Sequence, residues 1–165
     1  MIDKYGYRFN VGIILANPVG RLFWGKRLGI KNAWQFPQGG ILPEETPNEA
    51  MYRELEEELG LVQKDVELLA VSKNWLYYHL PKNLRRYYSK PLCVGQKQKW
   101  FLLRLINDEN TICLDKTQSP EFESWKWVDY WHPLKQVIEF KRKVYESALN
   151  EFESLIMRLG KSEEN

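Results

Sequence analysis

The sequence predicts one α/β domain with helices covering a mixed β-sheet, and three observations predict it. Strand-like apolar runs fill most of the first 130 residues, one well-marked helix interrupts them, and the last 30 residues turn helical. A chain of 165 residues has the size of one ordinary domain. We place that domain at residues 1–160, with 161–165 as a frayed tail. Hydrophobic residues at 44% and charged residues at 28% fall in the globular range, so a packed interior is expected and a disordered chain is not.

Tyr7 to Ala16 reads as a buried strand, Asn17-Pro18-Val19-Gly20 as a turn, and Arg21 to Arg27 as the hairpin partner. Trp34 to Pro37 is a short strand running into Gln38-Gly39-Gly40, read as a loop where the backbone bends or approaches a ligand closely. Both ends of the next helix are marked. Thr46-Pro47-Asn48-Glu49 matches a capping box with Pro at the first helical position, and Gly60 stands where a helix stops, which sets the span at 47–59. Val66 to Leu80 and Gln96 to Ile106 read as strands joined by a basic loop, 81–95, and Phe122 to Val128 alternates as another strand. Beyond Trp131-His132-Pro133, Val137, Phe140, Val144, Ala148, Phe152, Leu155 and Leu159 recur at intervals of three and four. That is the stripe of one long amphipathic helix or two abutting ones.

No apolar run approaches the ~18 residues of a membrane span. Met1-Ile2-Asp3-Lys4 has neither a basic region nor an apolar one, so no secretory leader is expected and a cytoplasmic location without membrane contact is. Cys93 and Cys113 belong to no Cys-x-x-Cys or Cys/His cluster and are expected to be buried thiols. Net charge is only +2, but it is segregated. Residues 44–63 hold seven Glu and one Arg, whereas no carboxylate occurs between Glu67 and Asp108, where Lys and Arg alternate with Trp, Tyr and Phe. Cations among rings suit a polyanion with bases to stack.

On the 47–59 helix, Glu54, Glu57 and Glu58 share an arc of about 100°, and Met51, Leu55 and Leu59 occupy the next one. Like charges at i, i+4 cost a few tenths of a kcal/mol each, so the cluster is locally unfavourable. Oxygen donors at this density suit a hard divalent cation. Mg2+ is the expected ion, with Mn2+ the alternative.

Gly39, five residues, Glu45, seven residues, and Arg53-Glu54-Leu55-Glu56-Glu57-Glu58-Leu59-Gly60-Leu61 resemble the signature of the Nudix hydrolases at every specified position. Outside that box, Trp34 to Gly40, Gly95 to Phe101, Pro120-Glu121-Phe122, Trp125 to Val128 and Phe140-Lys141 resemble the bacterial RNA pyrophosphohydrolases, relatives of dinucleoside polyphosphate hydrolases. The resemblance implies an α/β/α sandwich and a metal-dependent hydrolase of phosphoric anhydrides. Its implied substrate is 5′-triphosphorylated RNA, cleaved to pyrophosphate and a 5′-monophosphate end that starts mRNA decay. Diadenosine polyphosphates are the alternative substrate. DNA is not an expected partner. A non-catalytic Nudix-fold binding module is a reading of another class, but such modules usually lose box glutamates and this chain keeps them all.

The same resemblance assigns Glu54, Glu57 and Glu58 to catalysis and, with the Gly39 carbonyl and Glu121, to the metal. Glu57 and Glu54 are both candidates for the general base. Glu45, Arg53 and Gly60 are implied as structural supports of the box. Arg8, Arg27, Tyr78, Gln96, Gln98, Lys99 and Lys141 match positions on the phosphate and nucleotide path, and Phe140 a position that stacks a base. Two departures stand out: Phe9 where the family commonly has Pro, and Ala33 where it has a hydroxyl residue before Trp34.

Overall fold

The computed structural model describes residues 1–162. Two long strands form its spine: β1 (Tyr7–Ala16) and β7 (Gly95–Leu105) run parallel, paired from Tyr7↔Gly95 to Ala16↔Arg104. Each spine strand has different partners at its two ends. β4 (Gln38–Gly40) pairs antiparallel with β1 near Asn10, and β2 (Leu22–Arg27) leaves β1 through the Ala16↔Leu22 pair. β6 (Leu76–His79) pairs with the start of β7 and β5 (Val66–Val71) with its end. β3 (Trp34–Gln35) and β8 (Phe122–Val128) both pair with β2.

Strand alternation sends the side chains of the spine to two faces. Val11, Ile13, Leu15, Phe101 and Leu103 pack with Met51, Leu55 and Leu59 of α1 (Pro47–Leu59). Ile14, Trp100 and Leu102 pack with Val144, Tyr145, Leu149 and Phe152 of α3 (Arg142–Ser162). One helix on each face gives the expected α/β/α sandwich. Gly12 is required here, because a Cβ would fall 2.6 Å from the Trp100 indole that lies across β1. Beneath α3, the ring of Phe36 sits 5.1 Å from Trp24 and 4.8 Å from Tyr145, and Tyr145 lies 5.3 Å from Trp100. The Phe36 N–H donates to the Tyr145 hydroxyl at 3.0 Å.

Several boundaries differ from the sequence reading. Gln38-Gly39-Gly40 is a strand, not a loop, because β1 offers it an edge. The single strand read over 66–80 is two, with the break at Ser72: its hydroxyl accepts the Trp100 N–H and donates to the Asn74 carbonyl as the chain crosses between two stretches of β7. After Trp131, α2 (His132–Gln136) is short, and a 3₁₀ turn over Glu139–Lys141 precedes α3. α3 continues to Ser162, so residues 161 and 162 of the expected tail are helical and 163–165 lie outside the described residues. Cys93 and Cys113 are free, and half-buried rather than buried. Among the described residues no helix is long and apolar enough to cross a membrane.

Candidate active site

The carboxylates are placed by the packing of α1. Thr46 accepts the Glu49 N–H and Glu49 accepts the Thr46 N–H, closing the capping box, and Gly60 ends the helix at φ 70°. With Ala50, Met51, Leu55 and Leu59 fixed on the sheet, the adjoining Glu54 and Glu58 are drawn under the helix edge and keep only 9% and 7% exposure. Glu57 stays exposed. Arg53 holds the frame together. Its guanidinium grips Glu45 through two bonds of 2.7 and 2.9 Å, donates to the Gly40 carbonyl at 2.8 Å, and reaches Glu54 at 2.7 Å and Glu57 at 3.3 Å. The expected Glu45–Arg53 pair is present, and Arg53 keeps the Glu45 carboxyl below its ordinary range. Its contacts with Gly40, Glu54 and Glu57 also tie the pair to β4 and to the acidic face.

Glu54, Glu57 and Glu58 line a cavity of about 410 Å³ together with Glu121, which stands just before β8 and accepts Arg27 Nε at 3.2 Å. Burial, then the charges of Glu54, Glu121 and Glu57, push the Glu58 carboxyl well above its ordinary range. Its Oε2 is buried with no hydrogen-bond partner. Glu54 is also raised, chiefly by burial, against the pull of Arg53. Among the described residues no three acidic, thiol or imidazole groups are gathered in metal-holding geometry, since Glu54 and Glu57 lean on Arg53. The donor set nevertheless fits a divalent cation: the donors are all oxygens, and one of them, Glu58 Oε2, is buried without a partner. Gly39 lies under the Glu54 carboxyl with no room for a Cβ. Gly39→Ala is therefore expected to displace the Glu54 carboxyl and weaken divalent-cation affinity at least about tenfold, with a smaller effect on the fold because the displaced atoms end one side chain; titration calorimetry measures the affinity.

On the α3 face, Lys141 is 7% exposed and donates to Gln35 Oε1 at 3.0 Å and Gln38 Oε1 at 3.1 Å. Burial, then Arg27, lower its amine to about 8. Gln38 also donates to the hydroxyl of Tyr78, whose ring is 5.8 Å from that of Phe140; burial pushes the Tyr78 hydroxyl up to about 12. Phe140, Lys141 and Arg27 line a cavity of about 330 Å³ with Ala33, Trp34 and Gln35. Arg8 lies over Gly40, beside Gln96 of β7.

Two of the expected contacts are placed elsewhere. Gln98 is fully buried, its amide engaged by Asn10 at 2.8 Å and Trp100 at 3.2 Å, so it braces the spine instead of facing a cavity. Lys99 projects to the α1 face, where it donates to the carbonyls of Ser72 and Lys73. Phe9 also lies on that face, edge-on to Trp75 and 4.1 Å from Lys97 Nζ. Gln35 and Gln38, which cage Lys141, carried no functional assignment from sequence. Two amides flanking Phe36-Pro37 in an apolar strand were the available signal, since buried polar groups need partners.

The NUDIX domain family model matches residues 6–148. An RNA pyrophosphohydrolase of Vibrio vulnificus is 59% identical over 157 residues, 95% of this chain and 91% of that protein. One from Hahella chejuensis is 54% identical over 162 residues, 98% of this chain and all of that one. The E. coli dihydroneopterin triphosphate pyrophosphohydrolase shares the fold at a TM-score of 0.69 and 19% identity, over 88% of this chain and 98% of that one.

Proposed function

Because the chain belongs to the Nudix family, a hydrolase family of phosphoric anhydrides, we propose that it removes pyrophosphate from the 5′-triphosphate end of RNA and leaves a 5′-monophosphate. The observation that carries this reading is the meeting of four carboxylates in one cavity with Arg27 bridging to Glu121 at its edge and Lys141 beyond. Relatives matched over more than nine-tenths of both lengths, and named RNA pyrophosphohydrolase, supply the substrate.

The family acts with divalent cations. Here Glu54, Glu57, Glu58, Glu121 and the Gly39 carbonyl would hold them, and Mg2+, or Mn2+ in its place, suits an all-oxygen set facing phosphate. When bound, such an ion neutralises phosphate charge and lowers the pKa of water. The chain's own groups do the rest. Arg27 and Lys141 hold and orient the phosphate chain, Arg8 stands farther along the nucleotide path, the Phe140 ring meets a base, and Glu57 or Glu54 accepts the proton of the attacking water.

Lys141 gives the site a pH signature. Its amine is charged at pH 7 and loses its proton as pH rises through about 8. Since the unfolded chain keeps that proton to about 10.4, this group adds stability between those pH values while phosphate affinity falls. We expect KM for RNA to rise at least about threefold from pH 7 to 9. Lys141→Arg, whose guanidinium stays charged, should flatten the rise.

The test of substrate is kcat/KM for 5′-triphosphorylated RNA against diadenosine tetraphosphate with the same protein and Mg2+. RNA is expected to be preferred; a tenfold preference for the dinucleotide would reverse the assignment.

A further inference from the structure

Between Ile2, the start of β1 and the 81–95 loop lies a recess of about 420 Å³, inside the ~300–1,000 Å³ range of small-ligand pockets. Arg8, Arg86 and Gln96 supply its polar wall, and Ile2, Leu80 and Leu84 its apolar one; among the described residues no carboxylate lines it. Gln96 brings a buried Oε1 without a hydrogen-bond partner, an acceptor left unsatisfied until an N–H or O–H reaches it. Two guanidiniums without a counter-carboxylate in the wall attract anions, and the apolar surface between them accepts a flat ring. The recess neighbours the proposed phosphate path on two sides. Arg8 lies over Gly40, next to Gly39 and Glu54, and Leu84 also walls the cavity of Phe140 and Lys141. Its neighbour Arg85 is turned inward, donating to the Leu80 carbonyl at 3.0 Å.

We propose that this recess holds a nucleotide of the RNA body, adjacent along the strand to the one whose base meets Phe140. Arg8 and Arg86 take its flanking phosphates, the Ile2, Leu80 and Leu84 wall takes its base, and Gln96 accepts a base N–H. The inference rests on RNA being the substrate.

Cys93 lines the recess and reports on it, whereas Cys113, whose N–H donates to the Leu59 carbonyl beyond the far end of α1, is the internal control. In the Glu57→Gln protein with Mg2+, the rate of iodoacetamide alkylation at each cysteine is read by peptide mass, with a saturating 5′-triphosphorylated tetranucleotide. RNA is expected to slow Cys93 at least about fivefold and leave Cys113 unchanged, while inorganic tripolyphosphate changes neither more than about twofold. Adding Arg86→Ala is expected to weaken RNA binding about five- to tenfold and to reduce the salt slope by about 0.7. Saturation by RNA without protection of Cys93, or equal protection by tripolyphosphate, overturns the proposal. Wild-type hydrolysis of RNA separates the two claims: RNA turned over with Cys93 unprotected removes this inference alone, and RNA not turned over removes the functional reading and this inference with it.

Discussion

Glu57→Gln is expected to lower the rate of pyrophosphate release from RNA at least about a hundredfold while the thermal midpoint stays within about 2 °C. Glu57 is exposed and meets Arg53 at 3.3 Å, a contact of two partly solvated side chains. Exposed ion pairs contribute about 0–1 kcal/mol, and an amide also relieves repulsion from Glu54 and Glu58, so the fold should not notice the change. The reaction should, because a charged oxygen is lost from the set that faces the phosphates, or the base itself is lost, an effect of about 10²–10⁴-fold. Pyrophosphate release and scanning calorimetry on the same preparation check both halves. Unchanged hydrolysis would remove Glu57 from the machinery.

Glu58→Gln should behave differently, since Glu58 is buried with an orphaned oxygen. Its folded-state carboxyl is raised well above the unfolded value, so between about pH 4.3 and that raised value the native state holds a proton the unfolded chain has released. By linkage, the cation-free protein loses stability as pH rises through this window. The Gln variant lacks that loss. Its midpoint without divalent ions is expected to match the wild type near pH 4 and to exceed it by several degrees at pH 8, at about 2–4 °C per kcal/mol for a chain of this size. Added Mg2+ should raise the wild-type midpoint and leave the variant's nearly unmoved, and hydrolysis should fall with the lost response. A lower cation-free midpoint in the variant at pH 8 would show that the Glu58 charge is already compensated.

What was legible in the sequence follows the range of the interactions. α1 came out with both boundaries right because Thr46, Glu49 and Gly60 act within one turn of their own position. The acidic arc was legible for the same reason, as helical spacing alone groups Glu54, Glu57 and Glu58. β4 was not, because Gln38-Gly39-Gly40 has loop-like propensity and becomes a strand only by pairing with residues 10–12. The break at Ser72 was hidden likewise, since its hydroxyl bonds to a strand 28 positions away. Lys141 could be placed on the phosphate path by resemblance, but the amide cage around it joins residues more than 100 positions apart. Gln98 shows the limit of pattern: its type matches a binding residue, while its place in the alternation puts it against Asn10.

The aromatic cluster of Trp24, Phe36, Tyr145 and Trp100 joins the two segments that carry the amine and its amide cage. Phe36 is flanked by the segment carrying Gln35, Gln38 and Gly39, and Tyr145 follows Lys141 by one helical turn. The segment of Gln35 and Gln38 and the turn of Lys141 are thus moored to the same buried rings. A substitution that repacks Phe36 or Tyr145 is therefore expected to shift the amide cage and the Lys141 amine together.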